Sequence, residues 1–137
     1  KRRNLNPHNH VHHFQEMFEE QHVTIFLKYD HIKLYYGDSA YILPEILSNI
    51  TRPVLFWLDA HYSGGKTARG KIDTPIMKEL EAIFTYSKYD HVLLIDDANL
   101  FNGKNDFPTL DKLREIILKN RPKWKFINKD NVIRVHG

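Results

Sequence analysis

Three apolar runs in this chain close on acid, and no other feature limits the fold as strongly. Residues 54–58 (VLFWL) end on Asp59, residues 91–95 (HVLLI) end on Asp96 and Asp97, and residues 31–36 (HIKLYY) lead through Gly37 to Asp38. Short apolar runs bounded by polar turns read as strands, and continuous ones as strands covered on both faces. Between and after them, apolar residues recur at helical spacing: Ile42, Leu43, Ile46 and Leu47; Ile76, Leu80, Ile83 and Phe84; Leu110, Leu113, Ile116 and Ile117. Strands alternating with helices predict a mainly parallel sheet with right-handed crossovers. Ligands of such sheets bind beyond the carboxyl ends of the strands, where these acids would stand.

The rest of the chain follows from turn and cap chemistry. Residues 1–11 are polar and read as a flexible arm; residues 12–137 read as one domain, a size the 137-residue chain allows. From His12 to Tyr29, Phe14, Met17, Phe18, Ile25 and Phe26 fit a helix, with the β-branched HVTIFL offering a strand at 22–27 instead. Ser39 is expected to cap a helix through Leu47. Residues 59–73 form a long Gly-rich loop, a length that in compact domains often carries function. Thr74 and Pro75 suit the N-cap and first position of a helix to about Tyr86, and Thr109 starts another to about Lys119. KWKFIN and NVIRV pair as a final hairpin joined at Lys129-Asp130. Tyr35, Tyr36, Phe56 and Trp57 are assigned to the core.

Composition excludes several classes. Cysteine is absent, which removes disulfides, thiolate zinc and thiol catalysis and fits a cytoplasmic location. No apolar run nears the roughly 18 residues of a membrane span, and the basic start KRRN leads into NPHNH rather than an apolar signal. The formal net charge of +3 comes without a Lys/Arg stripe interleaved with aromatics, so no nucleic-acid partner is expected.

Three carboxylates brought together repel one another and cost free energy if buried unpaired. For Asp59, Asp96 and Asp97, a hard divalent cation such as Mg²⁺ would relieve this, as would use of one acid as a general base. The plain alternative is that one caps a turn and another pairs with a basic side chain. His61 and Asn99 each follow an acid by two and are candidates to join it, and Tyr62 is the aromatic placed to meet a ligand. Ala60 to Thr67 also matches a phosphate-loop pattern ending in Gly65-Lys66-Thr67, but that chemistry needs a helix opening at the Lys; Gly70, Asp73 and Pro75 argue for a later start. His8, His10, His12 and His13 offer metal-ligand types within a polar tail.

IKLYYGDSAYILPEIL, VLFWLDAHYSGG, DTPIMKELEAI and HVLLIDDANLF resemble the later motifs of class I S-adenosylmethionine-dependent methyltransferases, and most closely the small-molecule and sugar O-methyltransferases that include Mg²⁺-binding members. The resemblance covers residues 28–137. It implies a Rossmann-like three-layer α/β/α domain with a mainly parallel sheet and a C-terminal antiparallel hairpin. It implies S-adenosylmethionine as cofactor, Mg²⁺ in some members, and a small-molecule or sugar acceptor. Asp38 and Ser39 match the motif that contacts the adenine. Asp59 matches the acid beside the methionine moiety and substrate, and with His61 is the catalytic candidate. Asp96 and Asp97 match the paired acids that hold metal, with Asp59 beside them; Tyr62 and Asn99 are the substrate-binding candidates. The family's Gly-rich cofactor loop has no counterpart, because the first 27 residues contain no Gly. The chain therefore resembles the family's C-terminal part, truncated at its N-terminus. With two strands absent, strand 31–36 is expected beside 54–58, and the exposed sheet edge is expected to invite a homodimer. The alternatives are a non-catalytic remnant that keeps the fold for interaction and the phosphate-loop nucleotidase.

Overall fold

The computed structural model describes residues 29–35, 37–59 and 74–137, together with the backbone of residues 11–13. Helix α1 (Ser39–Ser48) begins where Asp38 leaves the helical region, at φ −68° and ψ 122°. Its carboxylate accepts the Ala40 N–H at 2.8 Å. That bond satisfies one of the amides orphaned at a helix start. Asp38 is therefore the cap, and Ser39 is the first helical residue rather than the cap expected. Helix α2 (Ile76–Tyr86) follows Thr74, whose hydroxyl accepts the Ile76 N–H at 3.3 Å, and Pro75, already helical at φ −79°. Helix α3 (Leu110–Asn120) is capped by Thr109, whose hydroxyl accepts the Lys112 N–H.

Two sheets accompany these helices. Strands β1 (Val11–His13) and β2 (Ile32–Leu34) pair in parallel, Val11 opposite Ile32. Residues 11–13 are thus extended, where an arm running into a helix was expected. Strand β2 takes β1 as its neighbour, not the strand at 54–58. A parallel pair needs a crossover of about a dozen residues or more, and residues 14–31 span that connection. The larger sheet contains β3 (Leu55–Leu58), β4 (Val92–Ile95), β5 (Lys125–Lys129) and β6 (Val132–His136), in the order β3-β4-β6-β5. β3 and β4 are parallel, and β6 is antiparallel to both β4 and β5. The chain is thus α/β, with a mixed four-stranded sheet and three described helices. The hairpin turns at Asp130-Asn131, one residue later than expected. Both lie in the left-handed region, at φ 55° and 59°, which two-residue hairpins favour because it matches strand twist.

Phe56, Leu58, Leu93, Ile95, Ile133 and Val135 share one buried sheet face and pack with Leu43 and Leu47 of α1, Leu80 and Ile83 of α2, and Leu113 and Ile117 of α3. Each such side chain contributes about 1.5–3 kcal/mol when fully buried. The other face is more open. Leu55 is 59% exposed and Trp57 47%, so β3 is not covered on both faces as its unbroken apolar run suggested, and Trp57 is not a core residue. Tyr35 is half-buried and Phe56 buried; Tyr36 lies outside the described residues. No described helix is long and apolar enough to cross a membrane.

The amino ends of β3 and β4 are tied together by His91, which is 0% exposed. Its Nδ1 accepts the Val54 N–H at 3.1 Å, and its Nε2 lies 2.6 Å from the Ser87 hydroxyl. A ring nitrogen that accepts from an amide carries no proton, so the geometry selects the neutral ring protonated at Nε2. Burial, and then the nearby Arg121 charge, push the imidazole below its ordinary 6.5 despite the opposing Asp90.

Candidate functional site

The acids stand at the other end of the same two strands. The β3–β4 register pairs Leu58 with Ile95, so Asp59 and Asp96 fall one residue beyond the last paired rung. The Asp96 N–H still donates to the Leu58 carbonyl at 3.0 Å, fixing the two strand ends side by side. The chain then breaks from β4: Asp97 takes φ 51° and ψ 51° and opens a short 3₁₀ turn, Ala98–Leu100. A non-glycine residue in this left-handed region is strained and persists only where its surroundings hold it. Here the Asp96 carboxylate accepts the Asp97 N–H at 2.8 Å. The Asp97 carboxylate accepts from Asn131 Nδ2 at 3.2 Å.

Asp59, Asp96 and Asp97 line one shallow depression, open at its mouth. Leu58, Ile76, Ile95, Leu100, Phe101 and Phe107 make its apolar lining, and Thr74 adds a hydroxyl. Phe101 and Phe107 meet edge to face, centroids 5.2 Å apart, and so fix one wall. Asp59 is exposed, and Asp96 and Asp97 are half-buried. Among the described lining residues, the charged groups are the three carboxylates.

The other sequence candidates fall into three groups. Asp38 and Ser39 stand at the start of α1: one Asp38 oxygen serves the cap, and the buried Ser39 hydroxyl donates to Glu79 Oε1 of α2. Neither lines the depression. Asn99 lies on the 3₁₀ turn with an exposed side chain and is not in the lining either. His61, Tyr62 and the Gly65-Lys66-Thr67 segment lie outside the described residues, as do His8 and His10 and the side chains of His12 and His13.

Among the described residues, no group of three or more His, Asp or Glu side chains is placed to hold an ion. One Asp96 oxygen is turned to the Asp97 amide and one Asp97 oxygen to Asn131. The described acids do not fit a Mg²⁺ centre.

Thr74, Phe101, Phe107 and Asn131 were not singled out by sequence. Thr74 carried a signal as a cap, and Asn131 as the second residue of an Asp-Asn turn. Neither signal says that the residue reaches the acids, since that depends on how distant elements pair. No family description, curated protein or solved structure matches the chain.

Proposed function

We propose that this chain is an S-adenosylmethionine-dependent methyltransferase domain that transfers a methyl group to a hydroxyl of a small molecule or sugar. One observation carries the reading: three carboxylates predicted from strand ends line a single depression beyond the carboxyl ends of two adjacent parallel strands. That is where an open α/β sheet binds its ligands. The four-stranded sheet has one parallel and two antiparallel pairings where a mainly parallel sheet was expected; its closing antiparallel hairpin is the feature that supports the motif resemblance.

An acid-rimmed, apolar-lined depression suits the methionine–sulfonium end of the cofactor, which is cationic at nitrogen and sulfur. The chemistry supplied by the bound cofactor is an electrophilic methyl group. The chain's own task is to hold the acceptor oxygen in line and remove its proton. Asp59, exposed at the rim, is assigned the proton. Asp97 and Asp96 hold the inner side of the depression, while Phe101 and Phe107 exclude water from it. Asp38 and Ser39, at the turn into α1, are assigned to the adenine end.

The direct test is incubation with S-adenosylmethionine labelled at the methyl carbon and a panel of hydroxylated sugars. Label should move to an acceptor, and Asp59→Asn should stop it. Equal transfer by the wild type and Asp59→Asn would remove Asp59 from the mechanism.

A second reading, a non-catalytic domain of the same fold, is favoured by the use of an Asp38 oxygen and the Ser39 hydroxyl in holding α1 in place. It predicts that Asp59→Asn and Asp97→Asn leave every binding property unchanged.

A further inference from the structure

We propose that Asn131, at the tip of the β5–β6 hairpin, is the positioning residue that holds Asp97 at the rim of the acidic depression. Its consequence for ligand binding rests on the methyltransferase reading; its geometry does not. The antiparallel register of β4 and β6 pairs Ile95 with Ile133. Two residues forward along β4 and two back along β6, the same register sets Asn131 opposite Asp97, just where β4 ends and the acids begin. Three hydrogen bonds cross this point. The Asn131 carbonyl accepts the Ala98 N–H at 2.9 Å. Its Oδ1 accepts the Asn99 N–H at 2.9 Å, and its Nδ2 donates to Asp97 Oδ1 at 3.2 Å.

Each bond answers a need of the site. The 3₁₀ turn Ala98–Leu100 begins with amides that have no partner inside the turn, and Asn131 accepts from two of them. Asp97 sits at φ 51°, a conformation that surrounding contacts must hold. The side-chain amide grips both sides of that residue, accepting from the backbone beyond it and donating to its carboxylate. A side-chain amide carries its acceptor and its donors on separate atoms of one short group, so it can accept on one side and donate on the other. Asn131 itself is left-handed at φ 59°, a region asparagine tolerates better than most residues. Asparagine is therefore suited to the tip of the turn and to the clamp together. The last hairpin becomes a strut for the site, although no hairpin residue lines the depression.

Asn131→Gly separates these roles. Glycine adopts φ > 0 freely, so the turn and the Asn131 carbonyl bond to Ala98 should survive while the side-chain clamp is lost. In the full chain, amide hydrogen exchange should quicken at Asn99 by roughly tenfold, the scale of one lost hydrogen bond. The Ala98 amide and the β6 amides should keep their protection. The carboxyl carbon resonance of Asp97 should shift. Calorimetric affinity for S-adenosylmethionine should fall about tenfold, as loss of a bond to a charged group would give. Asn131→Asp keeps an acceptor for Asn99 but offers Asp97 no donor, so it should spare Asn99 exchange and still shift the Asp97 resonance. An unchanged Asn99 exchange rate in Asn131→Gly, or faster exchange with an unmoved Asp97 resonance or unaltered affinity, would overturn the proposal. If the wild type gives no heat with S-adenosylmethionine, the methyltransferase reading falls, and the exchange and resonance measurements still decide the clamp.

Discussion

At the scale of single residues, two buried or half-buried groups make opposite demands. His91 is held neutral because Nδ1 accepts the Val54 N–H and because burial and Arg121 disfavour the imidazolium. In the unfolded chain the same ring takes up a proton as pH falls through its ordinary 6.5. Between that value and the lower folded one, the unfolded state binds more protons, so stability is complete above 6.5 and drains away below it. Urea unfolding from pH 7.5 down to pH 5 should show this loss. His91→Gln should show less of it, while costing about 1–3 kcal/mol at pH 7 because the Val54 amide loses its fitted acceptor. Equal pH slopes for the two proteins would contradict the assignment. At the acid end, Asp97→Asn keeps the left-handed backbone and an acceptor for Asn131 but removes one of three like charges. Thermal melts should show a gain of roughly 0.5–1 kcal/mol, the size of other single stabilising changes, together with loss of S-adenosylmethionine binding. Asp59, Asp96 and Asp97 were legible as strand-end neighbours because an apolar run that stops on acid marks where a strand ends. At Asp38, the hydrogen bond from the Ala40 amide shows a capping duty that the motif does not reveal.

At the scale of elements, the three described helices were read within a residue or two of their ends, since caps at Thr74 and Thr109 and the spacing of apolar residues are local chemistry; the helix expected from His12 is a strand at residues 12–13 and beyond them, to residue 28, lies outside the described residues. Sheet burial was harder to read. LFWL has the composition of a strand covered on both faces, yet alternate residues Leu55 and Trp57 are largely exposed, because what covers each face is decided by other elements. Residues 11–13 show the same limit: Val-His-His has no strong preference of its own, and pairing with Ile32–Leu34 makes it a strand. The contact between α1 and α2 depends on a polar pair inside it. Ser39 is buried and donates to Glu79, which is 3% exposed. Ser39→Ala should therefore lower unfolding free energy by about 1–3 kcal/mol, since a buried carboxylate loses a donor. Chemical denaturation checks this; a change within about 0.5 kcal/mol, the usual range for surface sites, would mean the bond does little.

At the scale of the whole molecule, order along the sheet joins the two ends of the argument. Parallel β3 and β4 deliver three acids to one end and His91 to the other, and β6, inserted antiparallel between β4 and β5, brings the hairpin tip back to the acids. The alternation of strands and helices made the α/β class legible. The separation of β1 and β2 from the four-stranded sheet was not, because strand partners depend on contacts distant in sequence. The same dependence hid Asn131. The central claim is that the acid-rimmed depression serves S-adenosylmethionine, and calorimetric titration of the full chain with S-adenosylmethionine and S-adenosylhomocysteine tests it most directly. The account predicts saturable heat with the wild type that Asp97→Asn abolishes. No heat from either ligand at millimolar concentration would contradict it.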